Sequence, residues 1–115
     1  NYGDVPVRTS PGFHPYFPAV GTQFDFNGAP YDADYIAHTE FVASPSDTHV
    51  AFDGMKHDIR TQNLPVYALW SDRNGQYTCA EPTAEGNAFL SPARGGQFVS
   101  GHGKKHYGMK IRLIA

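Results

Sequence analysis

A single cysteine, Cys79, leaves this chain without any internal disulfide, and its apolar neighbours suit a small hydrophobe. A reducing, cytoplasmic setting is therefore expected. The sequence also lacks an apolar run near the roughly 20 residues that a membrane-spanning helix needs. A membrane protein is not expected. It opens on Asn1 with no charged start leading into an apolar segment of the secretory type. Basic residues are not in excess either: nine Lys and Arg against eleven Asp and Glu give a net charge of −2, which offers no field for a phosphate backbone. Nucleic acid is an unsuitable partner.

Helical periodicity is equally scarce. The longest stretch free of Gly and Pro, from Tyr31 to Ser44, settles into no 3.6-residue repeat and reads as one short helix or a long loop. What the chain does have is 12 Gly, 9 Pro and 14% aromatic residues, the composition of short strands joined by tight turns. Its length of 115 residues suits one domain.

Strand signals recur along it. Thr22 to Asn27 places Phe24 and Phe26 on one face. Thr48 to Phe52 meets Met55 to Arg60 through Asp53-Gly54, a dipeptide suited to a tight hairpin. Val66 to Ser71 enters Asp72-Arg73-Asn74-Gly75 and returns as Gln76 to Ala80, with Tyr77 and Cys79 alternating. His106 to Ile114 carries Tyr107, Met109, Ile111 and Leu113 on one face and Lys110 and Arg112 on the other. Pro82 to Lys105, rich in Gly, Ser and Pro, reads as a long irregular surface connection. The expected fold is all-β with little helix, an antiparallel β-sandwich or part of one.

Two segments offer chemistry. In Gly12-Phe13-His14-Pro15-Tyr16-Phe17-Pro18 an imidazole sits among aromatic rings beside a stiffening proline, and imidazole's ordinary pKa of about 6.5 suits proton transfer near neutrality. The alternative is a histidine that merely fills a turn. In Tyr77-Thr78-Cys79-Ala80-Glu81-Pro82-Thr83 a carboxylate, one of three glutamates, follows an apolar strand. Partial desolvation there would raise its pKa toward that of a general base, whereas full exposure would leave an ordinary strand-end charge.

Together these segments carry a resemblance. Gly12-Phe13-His14-Pro15-Tyr16-Phe17 resembles the catalytic-histidine motif of the aldose 1-epimerases, the galactose mutarotase-like family. Leu69-Trp70, Cys79-Ala80-Glu81-Pro82-Thr83-Ala84 and Asn87-Ala88-Phe89 resemble its catalytic-glutamate segment, in matching order and spacing. Thr22-Gln23-Phe24-Asp25-Phe26 followed by Asp32-Ala33-Asp34-Tyr35 is similar to the stretch that leads to a sugar-binding aspartate, matched by Asp34 with Asp32 as the alternative. The resemblance covers most of this chain but only the C-terminal part of the family's β-supersandwich. The family's second active-site histidine and its sugar-binding arginine come from the N-terminal half, which lies outside the match.

The resemblance implies a sugar substrate, with His14 as acid, Glu81 as base and Asp34 as a hydroxyl-binding residue. It implies neither metal nor organic cofactor. Tyr16 and Trp70 could stack on the apolar face of a pyranose, with a core position as the alternative for Trp70. Six histidines invite a search for metal ligands, yet their spacings form no metal signature: His102 and His106 lie four apart among glycines that disfavour a helix. His57 beside Asp58, and His38 near Glu40, read as surface pairs. Lys104 and Lys105 read as a solvated loop pair, or as contacts to an anionic sugar. A half-sandwich would expose an edge and an apolar face, so a homo-oligomer or a missing N-terminal half is expected to cover them. A carbohydrate-binding module and a dimeric interaction protein are the rival functions.

Overall fold

The structure, a computed structural model, describes residues 1–18, 23–32, 38–44, 46–52, 55–71, 77–90 and 97–114. These residues form eleven strands: β1 (Val7–Thr9), β2 (Tyr16–Pro18), β3 (Gln23–Phe26), β4 (Ala29–Asp32), β5 (Glu40–Ala43), β6 (Asp47–Phe52), β7 (Met55–Gln62), β8 (Val66–Ser71), β9 (Tyr77–Thr83), β10 (Gln97–Val99) and β11 (Gly108–Ile114). A 3-10 turn at Gly86–Leu90 joins them. No helix among the described residues is long and apolar enough to cross a membrane.

All strand pairings among the described residues are antiparallel. A five-stranded sheet runs β11-β7-β6-β3-β4, a four-stranded sheet runs β2-β9-β8-β5, and β1 pairs with β10. The two larger sheets pack face to face. Phe24, Phe26, Val50 and Ile59 from one meet Phe17, Tyr67, Leu69 and Ala80 from the other in a single buried cluster. Phe26 sets its edge against the Tyr67 ring at 5.1 Å, an aromatic contact between the layers. The expected all-β antiparallel sandwich is the observed fold.

Turn chemistry explains the boundaries. The β6–β7 register pairs Phe52 with Met55, the expected antiparallel pairing, while Asp53-Gly54 lies outside the described residues. A hairpin that the strand reading missed joins β3 to β4: Asn27 at φ 53° and Gly28 at φ 82° take the left-handed backbone of a two-residue turn. Gly28 N–H donates to Asp25 Oδ1 at 2.7 Å.

The segment from Tyr31 to Ser44 begins in β4, because an Asn-Gly turn upstream pairs Tyr31 with Phe24, and leads into β5; its middle, residues 33–37, lies outside the described residues. Two expectations need correction. The second hairpin's return strand runs on to Thr83, and its loop at 72–76 lies outside the described residues. Pro82 to Lys105 is not simply irregular, since it contains the end of β9, the 3-10 turn and β10. Arg8 and Glu85 organise part of it. They meet at 3.0 Å with both side chains mostly buried, and Glu85 also accepts the Gln97 backbone N–H.

At one end the five-stranded sheet outruns its partner. Ile111 pairs with the buried Ile59, so Ile111 and Leu113 face the core side, yet they are 38% and 58% exposed. The radius of gyration of 15.5 Å exceeds the roughly 13 Å of a globular domain this long, in keeping with that overhang.

Candidate active site

Strand pairing brings His14 to Glu81. In the β2–β9 register Tyr16 faces Cys79, and the ladder resumes at an isolated bridge between Gly12 and Thr83. Position 14 therefore lies opposite position 81. Phe13 N–H donates to Pro82 O at 3.0 Å and Ala84 N–H to Pro11 O at 2.9 Å, which makes 13/82 and 11/84 the hydrogen-bonded pairs. His14 and Glu81 occupy the closer, non-hydrogen-bonded position next to the 13/82 pair, on the side toward β2. Two prolines loosen the ladder there: Pro15 and Pro82 each lack the N–H that regular pairing would use. The chain stays against β9 at this point without forming a strand.

The side chains meet accordingly. His14 Nε2 lies 3.2 Å from Glu81 Oε1, with the imidazole 50% exposed and the carboxylate 18% exposed. Tyr16 stacks on His14 at 4.6 Å and 13°, which fixes the plane of the imidazole. Burial pushes the Glu81 carboxyl above its ordinary value, and the neighbouring His14 and a hydrogen bond with Cys79 pull back against that rise. A proton-seeking carboxylate beside an accessible imidazole is an arrangement suited to moving protons.

Period-two alternation sets the rest of this face. Cys79 and Glu81, two apart on β9, share it. Trp70 pairs with Cys79 from the other side, and Ala68, opposite Glu81, pairs in turn with Phe41. Tyr16 packs edge-on to Tyr77 at 5.0 Å, and Trp70 tilts against Tyr77 at 5.6 Å. Trp70 thus sits half-buried on the outer face and not in the core between the sheets. Phe41 and Tyr77 also line this face; the alternation of β9 could have flagged Tyr77, whereas Phe41 required the β5–β8 register.

Asp34 lies outside the described residues. Its alternative, Asp32, is exposed at the end of β4 in the other sheet. The remaining histidines are dispersed. His57 does not pair with Asp58, because adjacent strand residues point to opposite faces: it sets its ring against Phe17 at 5.0 Å. Asp58 instead meets His49 at 2.7 Å and Arg112 at 2.6 Å, and the Arg112 hydrogen bond leads the effects that hold its carboxyl below the usual range. His38 is exposed, His102 binds Asp4 at 2.6 Å, and the Lys105 ammonium lies 5.8 Å from the Tyr107 ring centre.

One mixed group has ligand character. A ring nitrogen of His14, the Cys79 sulfur and a Glu81 oxygen all lie within 4.8 Å of one another. A separate concavity of about 460 Å³, lined by Asp25, His49, Val50, Ala51, Lys56 and Ile114, lies on the five-stranded sheet.

No protein-family model and no curated protein matches the sequence. Among solved structures, the chain is similar to the Slr1438 protein from Synechocystis sp. PCC 6803, with a TM-score of 0.75 and 19% identity over 98% of this chain. The match covers 47% of that protein, so the chain spans about half the length of its structural neighbour, and the likeness is one of fold.

Proposed function

We propose that the chain acts on the anomeric centre of an aldose, interconverting its anomers in the manner of the aldose 1-epimerases that its motifs resemble. The observation that carries this reading is the 3.2 Å approach of His14 to Glu81 on an aromatic-lined sheet face. The ring oxygen and the hydroxyl of an anomeric carbon are bonded to one atom, so the acid and base that serve them must lie side by side. Protonated His14 donates to the ring oxygen while Glu81 takes the anomeric hydroxyl proton; the bond from C1 to the ring oxygen breaks and the aldehyde forms. Rotation about C1–C2 and reclosure with the roles reversed gives the other anomer. The half-exposed imidazole can swing to admit the sugar, while Tyr16 and Trp70 offer ring faces to its C–H surface. Asp34 remains the proposed hydroxyl-binding residue.

A small-molecule sugar is the proposed partner, in a reducing cytoplasmic compartment consistent with the buried thiol of Cys79. A second copy, or a preceding half of a longer protein, is proposed to cover the overhanging Ile111 and Leu113. Because the aromatic face alone would suffice to hold a sugar, a carbohydrate-binding module is the second reading. NMR of freshly dissolved α-glucose and α-galactose decides between them. Exchange accelerated by the protein and lost in Glu81→Gln supports catalysis; sugar-dependent shifts without acceleration favour binding, and no response to either sugar removes both.

A further inference from the structure

Cys79, Glu81 and His14 form a group that neither acid–base transfer nor sugar stacking requires in full, since the Cys79 thiol passes no proton to the sugar and offers it no stacking face. We propose that these three side chains are a binding site for a thiolate-preferring divalent cation of the zinc class, with one coordination position open toward the aromatic face.

The donor set comes first. An imidazole nitrogen, a thiolate and a carboxylate oxygen are all established zinc donors, and sulfur selects zinc over magnesium or calcium. Three protein ligands with a fourth position left to water or a small ligand is the composition of an open zinc site. Tetrahedral bonds of about 2.0–2.3 Å leave donors about 3.5 Å apart. His14 Nε2 and Glu81 Oε1 already stand at 3.2 Å, and all three donors lie within 4.8 Å of one another. Closing the widest separation takes about 1 Å, within reach of a side-chain rotation.

The scaffold is equally suited. Cys79 and Glu81 hang from one strand at a spacing of two, and β9 is held by partners on both sides, Tyr16 and Trp70 flanking Cys79. Two ligands are thus fixed by the sheet. The third is kept in plane by the Tyr16 ring stacked on it at 4.6 Å. The sulfur is fully buried and the imidazole half-exposed, so a cation would enter past His14 and displace the thiol proton to solvent. Histidine spacing could not disclose such a group, because its members belong to two strands' worth of chain 65 positions apart and only one of them is histidine.

The test is metal binding to the full chain, kept reduced, with zinc in competition against a chromogenic chelator and cobalt(II) as a spectroscopic probe. One equivalent of zinc should bind. Cobalt should give the intense visible bands of a tetrahedral site together with a thiolate charge-transfer band. Cys79→Ser should abolish that charge-transfer band, and His14→Ala, at an exposed position that the core does not need, should weaken zinc at least tenfold. Zinc binding that is unchanged in His14→Ala, a cobalt spectrum without thiolate charge transfer, or no binding at all overturns the proposal. None of these readouts involves sugar, so the metal site and the sugar reaction stand or fall separately.

Discussion

Replacing Glu81 with Gln separates catalysis from folding. The substitution keeps the side chain's shape and an oxygen able to accept from Cys79, while it removes the base. A positioned general base contributes on the order of 10² to 10⁴ in rate, or about 3–5 kcal/mol, so anomer exchange should fall by that factor with sugar binding within a few-fold. The effect on stability should have the opposite sign. Burial holds the Glu81 carboxyl above its ordinary value, so the folded chain binds this proton more tightly than the unfolded chain does. Stability from this group is present at low pH and is lost as pH rises from 4.5 through the higher folded value. The amide escapes that loss. Its forfeited contact with the half-exposed His14 is worth about 0–1 kcal/mol at most. Thermal melts should therefore show Glu81→Gln melting above the wild type near neutrality, with the gap closing below pH 4.5. A variant that exchanges anomers at the wild-type rate, or that melts lower at every pH, would refute the assignment of Glu81 as a desolvated base.

Other substitutions probe the frame around the site. Gly86 has φ +57°, and a Cβ there would stand 2.8 Å from Val66 Cγ1 and 2.9 Å from Phe41 Cδ1. Gly86→Ala should cost about 2–4 kcal/mol, near 4 °C of melting temperature per kcal/mol, and weaken sugar binding through Phe41. Leu69→Ala, at a fully buried position, should cost about 2–5 kcal/mol in chemical denaturation, and a loss under 1 kcal/mol would contradict the packing. Arg112→Gln should lower stability near neutral pH, with the difference fading as acid protonates Asp58 below its ordinary 3.8, because a depressed carboxyl stabilises only while ionised. Stoichiometric zinc should stop anomer exchange by occupying both proton-transfer groups, and a chelator should restore it, as the NMR assay would read directly.

The class of fold and the antiparallel pairs β6–β7 and β8–β9 were readable in the sequence, since each depends on local alternation and turn residues. β4 escaped detection although Asn27-Gly28 marked its turn, because Pro30 broke the strand pattern. Proline is tolerated there because β4 is an edge. β1, β5 and β10 are three or four residues long and take their identity from distant partners, which no local pattern encodes. His14 and Glu81 could be named singly, but their approach follows from a register that only the assembled sheet defines. Cys79 read as a small buried hydrophobe, which is how it packs, and its place beside both groups became visible only in three dimensions.

The two rims of the five-stranded sheet are chemically unequal. The turn at Asn27-Gly28 makes Phe26 and Ala29 the hydrogen-bonded pair, so the amide of position 30 would point off the rim, and Pro30 has none to offer. β11 at the opposite rim carries seven residues with no proline among them. A second copy that extends this sheet meets it at β11, where a two-fold axis sets β11 against β11 and leaves the joined sheet with a proline-blunted β4 rim at each end. Growth by this sheet ends at a pair, and a ten-stranded sheet, not a fibre, is its natural limit.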